Sequence, residues 1–259
     1  MIRYPVLHII FLCGLAVCIL VAFRNQVFWY VGVAWLLVFL VIMVTGSARI
    51  CSGMYVKAIC RSHVDEKVVS LTFDDGPYPV YTEAVLDILK SKEIRATFFI
   101  KGRNAALYPD LIRRMHDEGH IIGNHSWSHD HLFDLFPAKR MNREIRETNR
   151  IVREITGKSP VLFRPPYGVT NPAVARALKN ENHMVIGWNI RSYDTILNDP
   201  IKIAQRIKKR LKPGSIILLH DNRKRSEKIL KEVINIVKEN GYKFARIDEL
   251  LNILPYAAI

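Results

Sequence analysis

The stretch KVVSLTFDDGPYP (67–79) decides how the rest of the chain is read. Its opening run, KVVSLTF (67–73), is rich in apolar and β-branched residues, the pattern of a buried strand. Gly76 and Pro77 end that run as turn residues. Two adjacent carboxylates, Asp74 and Asp75, stand at its end, where they repel each other and gain nothing from a core. They are either a helix N-cap or solvated turn, or a pair with chemistry to do.

Beyond this strand the periodicity alternates. It predicts helices over 81–92, 109–118, 138–156, 172–180, 200–212 and 226–240, with a short one at the end of the chain. Between them it predicts strands over 95–101, 120–124, 161–164, 183–189, 215–220 and 243–247. Repeated strand–helix units imply a largely parallel sheet covered by helices, as a barrel or a doubly wound sheet. Polar residues follow the strands: Asp74 and Asp75, then His125 and His129, Arg164, Asp194, and His220 with Asp221. All fall at the carboxyl ends of parallel strands, where such folds build their sites. That pattern favours chemistry for the doubled acid.

His125 and His129 are four residues apart, a spacing that on a helical turn puts both imidazoles on one face. With one carboxylate they form a facial set for a divalent ion that leaves positions open for water and substrate. One acid of the pair then binds the ion, and the other takes a proton from the activated water. His131 would point elsewhere and is read as a bystander.

The motifs TFDDGP (72–77), HSWSH (125–129), FRPPYG (163–168) and LLHD (218–221) occur in that order and resemble those of the polysaccharide deacetylases, the NodB-homology domain of carbohydrate esterase family four. The resemblance covers about 67–250. It implies a distorted (β/α) barrel that removes acyl groups from sugars with a divalent metal: zinc foremost, with cobalt, nickel or iron also suited. Carried over by motif, Asp74 is the general base, and Asp75, His125 and His129 are the metal ligands. His220 is the general acid, Arg164 orients Asp74, and Leu218 lines the pocket for the acetyl methyl. Pro165 and Pro166 lack an N–H, so Tyr167 is the first residue after Arg164 with a backbone donor for an oxyanion. WNIRSYDT (188–195) departs from the family pattern: Asn189 and Arg191 replace acids and Thr195 replaces a Trp, while Asp194 remains to tune His220. The catalytic set is expected intact and the substrate wall changed.

Residues 1–60 contain no acid and four basic residues, Arg3, Arg24, Arg49 and Lys57, although the chain carries a net charge of +14. Two apolar runs, 5–23 and 27–46, each approach the roughly 20 residues that a bilayer span needs. Phe28, Trp29 and Tyr30 suit an interfacial aromatic belt. The expected organisation is a transmembrane helical hairpin within 1–61 and a catalytic domain over 62–259. Arg3, Arg49, Lys57 and Arg61 outnumber Arg24 across the membrane, so the positive-inside rule favours a cytoplasmic catalytic domain. Family habit favours the outside, and a lipid-linked precursor on the inner face would reconcile the two. Cys51 and Cys60 flank the membrane exit, and their spacing leaves pairing open.

Basic runs over 202–212 and 222–231 are either solvated helix faces or a rim that meets anionic headgroups or a phosphate-bearing glycan. No nucleic-acid recognition motif accompanies them. The sequence leads to a membrane-anchored hydrolase of an acylated amino sugar in a polymer or lipid-linked glycan. The alternatives are a hydrolase of another small amide and a silent, metal-holding glycan binder. Nothing in the sequence fixes an oligomeric state.

Overall fold

A computed structural model describes residues 4–23, 25, 27–179 and 181–257. Among these the strands are β1 (Ala58–Ile59), β2 (Val68–Asp74), β3 (Thr97–Ile100), β4 (Ile121–Asn124), β5 (Leu162–Phe163), β6 (Met184–Ile186), β7 (Ile190–Arg191), β8 (Ser215–His220) and β9 (Lys243–Phe244). They pair in parallel in the order β1-β6-β5-β4-β3-β2-β8-β7, with β9 added beside the start of β2. The sheet curls into the distorted barrel that the motif order implied. Its seam is bridged where Arg61 meets Ser215 and the Ser62 N–H donates to the Gly214 carbonyl at 2.9 Å.

Covering the sheet are α3 (Tyr81–Ser91), α4 (Gly102–Leu107), α5 (Pro109–Asp117), α6 (Ala138–Thr156), α7 (Pro172–Leu178), α8 (Pro200–Lys208), α9 (Ser226–Glu239) and α10 (Ile247–Leu251), numbered after two N-terminal helices described below. Strand β2 is buried on both faces, as expected of a central parallel strand. Its Val69, Leu71 and Phe73 pack outward with Val85, Ile207 and Val233, whereas Phe99, Leu162 and Ile216 pack in a separate cluster. The helix expected over 200–212 stops at Lys208, and its C-cap Lys209 N–H donates to the Gln205 carbonyl. The helix over 172–180 ends at Leu178, and Asn180 lies outside the described residues.

One predicted strand, 183–189, divides into β6 and β7. The carbonyls of Ile186 and Gly187 both accept from the Arg164 guanidinium at 3.0 Å, which takes them out of the ladder at the division.

The N-terminal helices are α1 (Tyr4–Ala22) and α2 (Val27–Ala48), each long and apolar enough to cross a membrane. They pack on one another through the stacked rings of Phe11 and Phe39, 3.8 Å apart. Leu20, Val33, Leu37 and Val41 are more than half exposed, so these are not core helices. Arg3 and Arg24, on which the charge argument leans, lie outside the described residues.

The segment leaving α2 packs into the barrel. Ser47 and Thr170 exchange hydrogen bonds at 2.8 and 3.0 Å, and Ile50 is buried with Phe163 and Val185. Cys51 and Cys60 form a disulfide, and β1 beside it pairs with β6. Packing therefore crosses the expected boundary at 61.

Candidate active site

Strands β2 and β8 end side by side, with Asp74 in register with His220. The chain then turns at Gly76, where a Cβ would collide with the Asp221 carboxylate, so only glycine fits. Asp221 is buried and pushed up to about 7 by that burial, although the Thr82 hydroxyl donates to it at 2.7 Å.

Asp74 is buried, and its Oδ1 accepts from Arg164 Nη1 at 2.7 Å. Arg164 has no exposed surface. It also donates to the Thr72 hydroxyl at 2.9 Å and to the two carbonyls at the β6–β7 division. Burial raises the Asp74 carboxyl above its ordinary range, and the Arg164 charge only partly offsets this. Its second oxygen, Oδ2, is 3.7 Å from His125 Nε2.

Asp75 takes a left-handed φ of 80°, unusual for a residue with a side chain. One ligand atom from each of Asp75, His125 and His129 lies within 4.8 Å of the others. Asp75 Oδ1 is buried without a hydrogen bond, 3.4 Å from His129 Nε2. His125 Nδ1–H donates to the Arg164 carbonyl at 2.7 Å, which leaves the Nε2 lone pair available. Burial lowers both imidazoles to about 4, so both are neutral near pH 7. Burial alone would raise Asp75, but the facing imidazoles and Lys101 outweigh it and hold the acid at about 2. An orphaned anionic oxygen facing two neutral imidazoles fits a divalent cation.

The two histidines do not converge by a helical turn. HSWSH is a loop with left-handed φ at Ser126 (66°) and His129 (50°). It is clamped by Glu144 of α6, which accepts from the Trp127 and Ser128 N–H groups at 3.1 and 2.7 Å, and by Asn124, which accepts from Ser126 N–H at 2.9 Å. His131 stands outside the cluster and lies 3.2 Å from the Tyr167 hydroxyl.

Across the site, His220 Nδ1–H donates to Asp194 Oδ1 at 2.8 Å, and the His220 backbone N–H donates to Asp194 Oδ2 at 2.7 Å. Burial opposes a charge on this ring, but the Asp194 hydrogen bond and charge outweigh it and raise its pKa above the ordinary value. Tyr167, at φ 60°, sets its ring 4.7 Å from that of His129. Leu218 is buried on β8, in register with Thr72 on one side and Arg191 on the other. The sequence reading missed Lys101, 3.5 Å from Asp75 Oδ1, and Asn222, which donates to Asp75 Oδ2 at 3.3 Å. Lys101 directly follows β3 and Asn222 lies two residues beyond β8, so both could have been marked on that ground. A cavity of about 650 Å³ opens elsewhere, beside Arg95, His120 and Phe244, and contains none of the motif residues.

Residues 61–186 match the family described as Polysaccharide deacetylase. The chain is 38% identical to the peptidoglycan-N-acetylmuramic acid deacetylase PdaA of Bacillus subtilis, over 75% of each protein. The solved structure of PdaA, described as a family 4 carbohydrate esterase, superposes with a TM-score of 0.66 at 36% identity, covering 74% of this chain and 84% of that one. PdaC of the same organism, a peptidoglycan-N-acetylmuramic acid deacetylase, is 36% identical over 72% of this chain, which spans only 39% of PdaC. A family 4 pseudoenzyme from Bacillus anthracis is also similar, with a TM-score of 0.68 and 28% identity over 74% of this chain and 68% of its own.

Proposed function

The chain belongs to the polysaccharide deacetylase family, and from that premise we propose that it is a metal-dependent hydrolase that removes the N-acetyl group from an amino sugar of peptidoglycan. The observation that carries this reading is the site itself. A carboxylate held by Arg164 and an imidazole held by Asp194 flank one Asp–His–His cluster.

Asp75, His125 and His129 would hold a divalent cation, which when bound would supply Lewis acidity at the acyl group and lower the pKa of a water there. Asp74 takes the proton of that water on Oδ2, since Oδ1 is committed to Arg164. The Tyr167 N–H, behind its two prolines, steadies the negative oxygen, and Leu218 packs on the acyl methyl. His220 has Nδ1 engaged by Asp194 and protonates the leaving nitrogen from Nε2. The C–N bond breaks, and the products are acetate and a free amine.

The test is acetate release by the detergent-solubilised full chain from acetylated glucosamine oligomers and peptidoglycan strands. Release abolished by chelator and restored by added zinc or cobalt supports the hydrolase. Absence of release from a folded, metal-loaded chain would favour the silent-binder reading, for which the similarity to a pseudoenzyme is the motive.

Asp194 gives a second check. With asparagine there, burial of His220 is no longer outweighed, so its pKa falls and its acid form is lost at lower pH. In Asp194→Asn the alkaline limb of the kcat profile is expected to move toward acid by about one unit or more, equivalent to about 1.4 kcal/mol. An unmoved limb would remove His220 from the acid role.

We place α1 and α2 in the membrane and the barrel on its outer face. The Cys51–Cys60 disulfide supports this side against the charge rule, since disulfides persist in oxidising compartments. A reporter fused after Ile259 should work only if it requires export, and a cytoplasm-dependent signal would reverse the assignment.

A further inference from the structure

The divergent wall of the site carries two cations that no acid answers. At the end of β7, the Arg191 guanidinium lies 5.1 Å from the Tyr193 ring centroid. Arg206 of α8 lies 4.3 Å from the same ring, and its Nε donates to the Arg191 carbonyl at 3.2 Å. Among the described residues neither guanidinium has a carboxylate within 4.0 Å.

The charge continues along α8. Arg206 with Lys202, Lys209 and Arg210 borders an open depression on the outer face of α8 and the turn after it, with no acid in its wall. A cluster of like charge of this kind raises the local concentration of anions at low ionic strength.

Its location ties the cluster to the reaction. Tyr193 holds a left-handed φ of 62°, which is costly for a residue with a side chain. The next residue is Asp194, fixed by two hydrogen bonds to His220. The backbone that displays Tyr193 to both arginines is therefore the backbone that sets the imidazole.

We propose that Arg191, Tyr193 and Arg206 form a subsite for an oxyanion, a carboxylate or phosphate carried by the glycan beside the sugar that reacts. The proposal rests on the deacetylase reading and adds to it what the replaced wall selects. Arginine forks match such groups with two parallel hydrogen bonds, and the neighbouring lysines draw the anion in. The position beside Asp194 favours a glycan over a lipid surface as the source of the charge.

The test measures binding rather than turnover, with the full chain carrying Asp74→Asn in detergent. The probes are an N-acetylmuramic acid disaccharide against its methyl ester, and N-acetylglucosamine 6-phosphate against N-acetylglucosamine. Charged probes are expected to bind at least tenfold tighter than their neutral partners at low salt. Further substitution by Arg191→Gln and Arg206→Gln should reduce that preference to less than threefold, while Lys90→Gln, far from the cluster, should keep it. Whichever pair shows the preference identifies carboxylate or phosphate. No preference at the start, or a preference that survives both substitutions, overturns the subsite. So does equal weakening of charged and neutral probes, which would mean a structural role. Arginine-dependent binding to vesicles of anionic phospholipid, without a glycan preference, would assign the face to lipid and also overturn it. Acetate release by the unsubstituted chain is followed in parallel. Its absence beside an intact charge preference would count against the hydrolase alone.

Discussion

Asp74→Asn is expected to lower kcat for acetate release by about a thousandfold while bound metal is retained. Asparagine matches aspartate in shape and can still accept from Arg164 through its side-chain oxygen, so the local geometry survives. It cannot take a proton. Asp75, His125 and His129 are untouched, and metal content by elemental analysis should stay near that of the unsubstituted chain. The pH profile separates loss of a base from general damage. Burial raises the Asp74 carboxyl above the usual carboxylate range, so the rate should fall as pH drops through that raised pKa and protonates the base. That acid limb should be missing from the residual rate of the variant. Full activity in Asp74→Asn, or an acid limb that persists unchanged, would shift the base role to another group.

The sequence exposed those features that depend on local pattern. Strand β8 and helix α6 were readable to the residue, because one is a continuous apolar run closed by His220 and the other a long amphipathic helix stopped by Gly157 in a left-handed turn. The Asp75, His125 and His129 cluster was legible for a related reason: polar side chains after apolar strands have few structural uses. Long-range effects stayed hidden. Strand β1 is only two residues long and exists because β6 offers it an edge, so no periodicity announces it. The division of 183–189 is imposed by Arg164, about twenty residues earlier, through hydrogen bonds that no window around Gly187 contains. The spacing of His125 and His129 suggested a helical turn, yet Glu144 of a different element shapes that loop. The Cys51–Cys60 pairing needed the path of the chain out of α2, which spacing does not give.

Arg164 should therefore be the position whose loss damages both fold and reaction. Arg164→Met leaves the Asp74 carboxylate buried without its cation and strips hydrogen bonds from Thr72, Ile186 and Gly187. Removing one partner of a buried ion pair costs about 3–5 kcal/mol, because the remaining charge cannot return to water. Asp74 will escape that cost by taking up a proton, and a protonated acid is no base, so turnover should fall by at least a hundredfold as well. Arg164→Lys restores the charge but not the fork. One ammonium with three donors cannot span Asp74, Thr72 and two carbonyls that a planar guanidinium meets together. It should recover part of the stability and little of the activity. The deciding variant removes both charges. Arg164→Met combined with Asp74→Leu should unfold at a higher denaturant concentration than Arg164→Met alone, since no unpaired charge remains in the core, yet release no acetate. If the double variant were instead less stable by the sum of the single effects, the two residues would not be coupled. Arg164 would then support the β6–β7 division alone, and the low rate of Arg164→Met would follow from a displaced wall rather than a neutralised base.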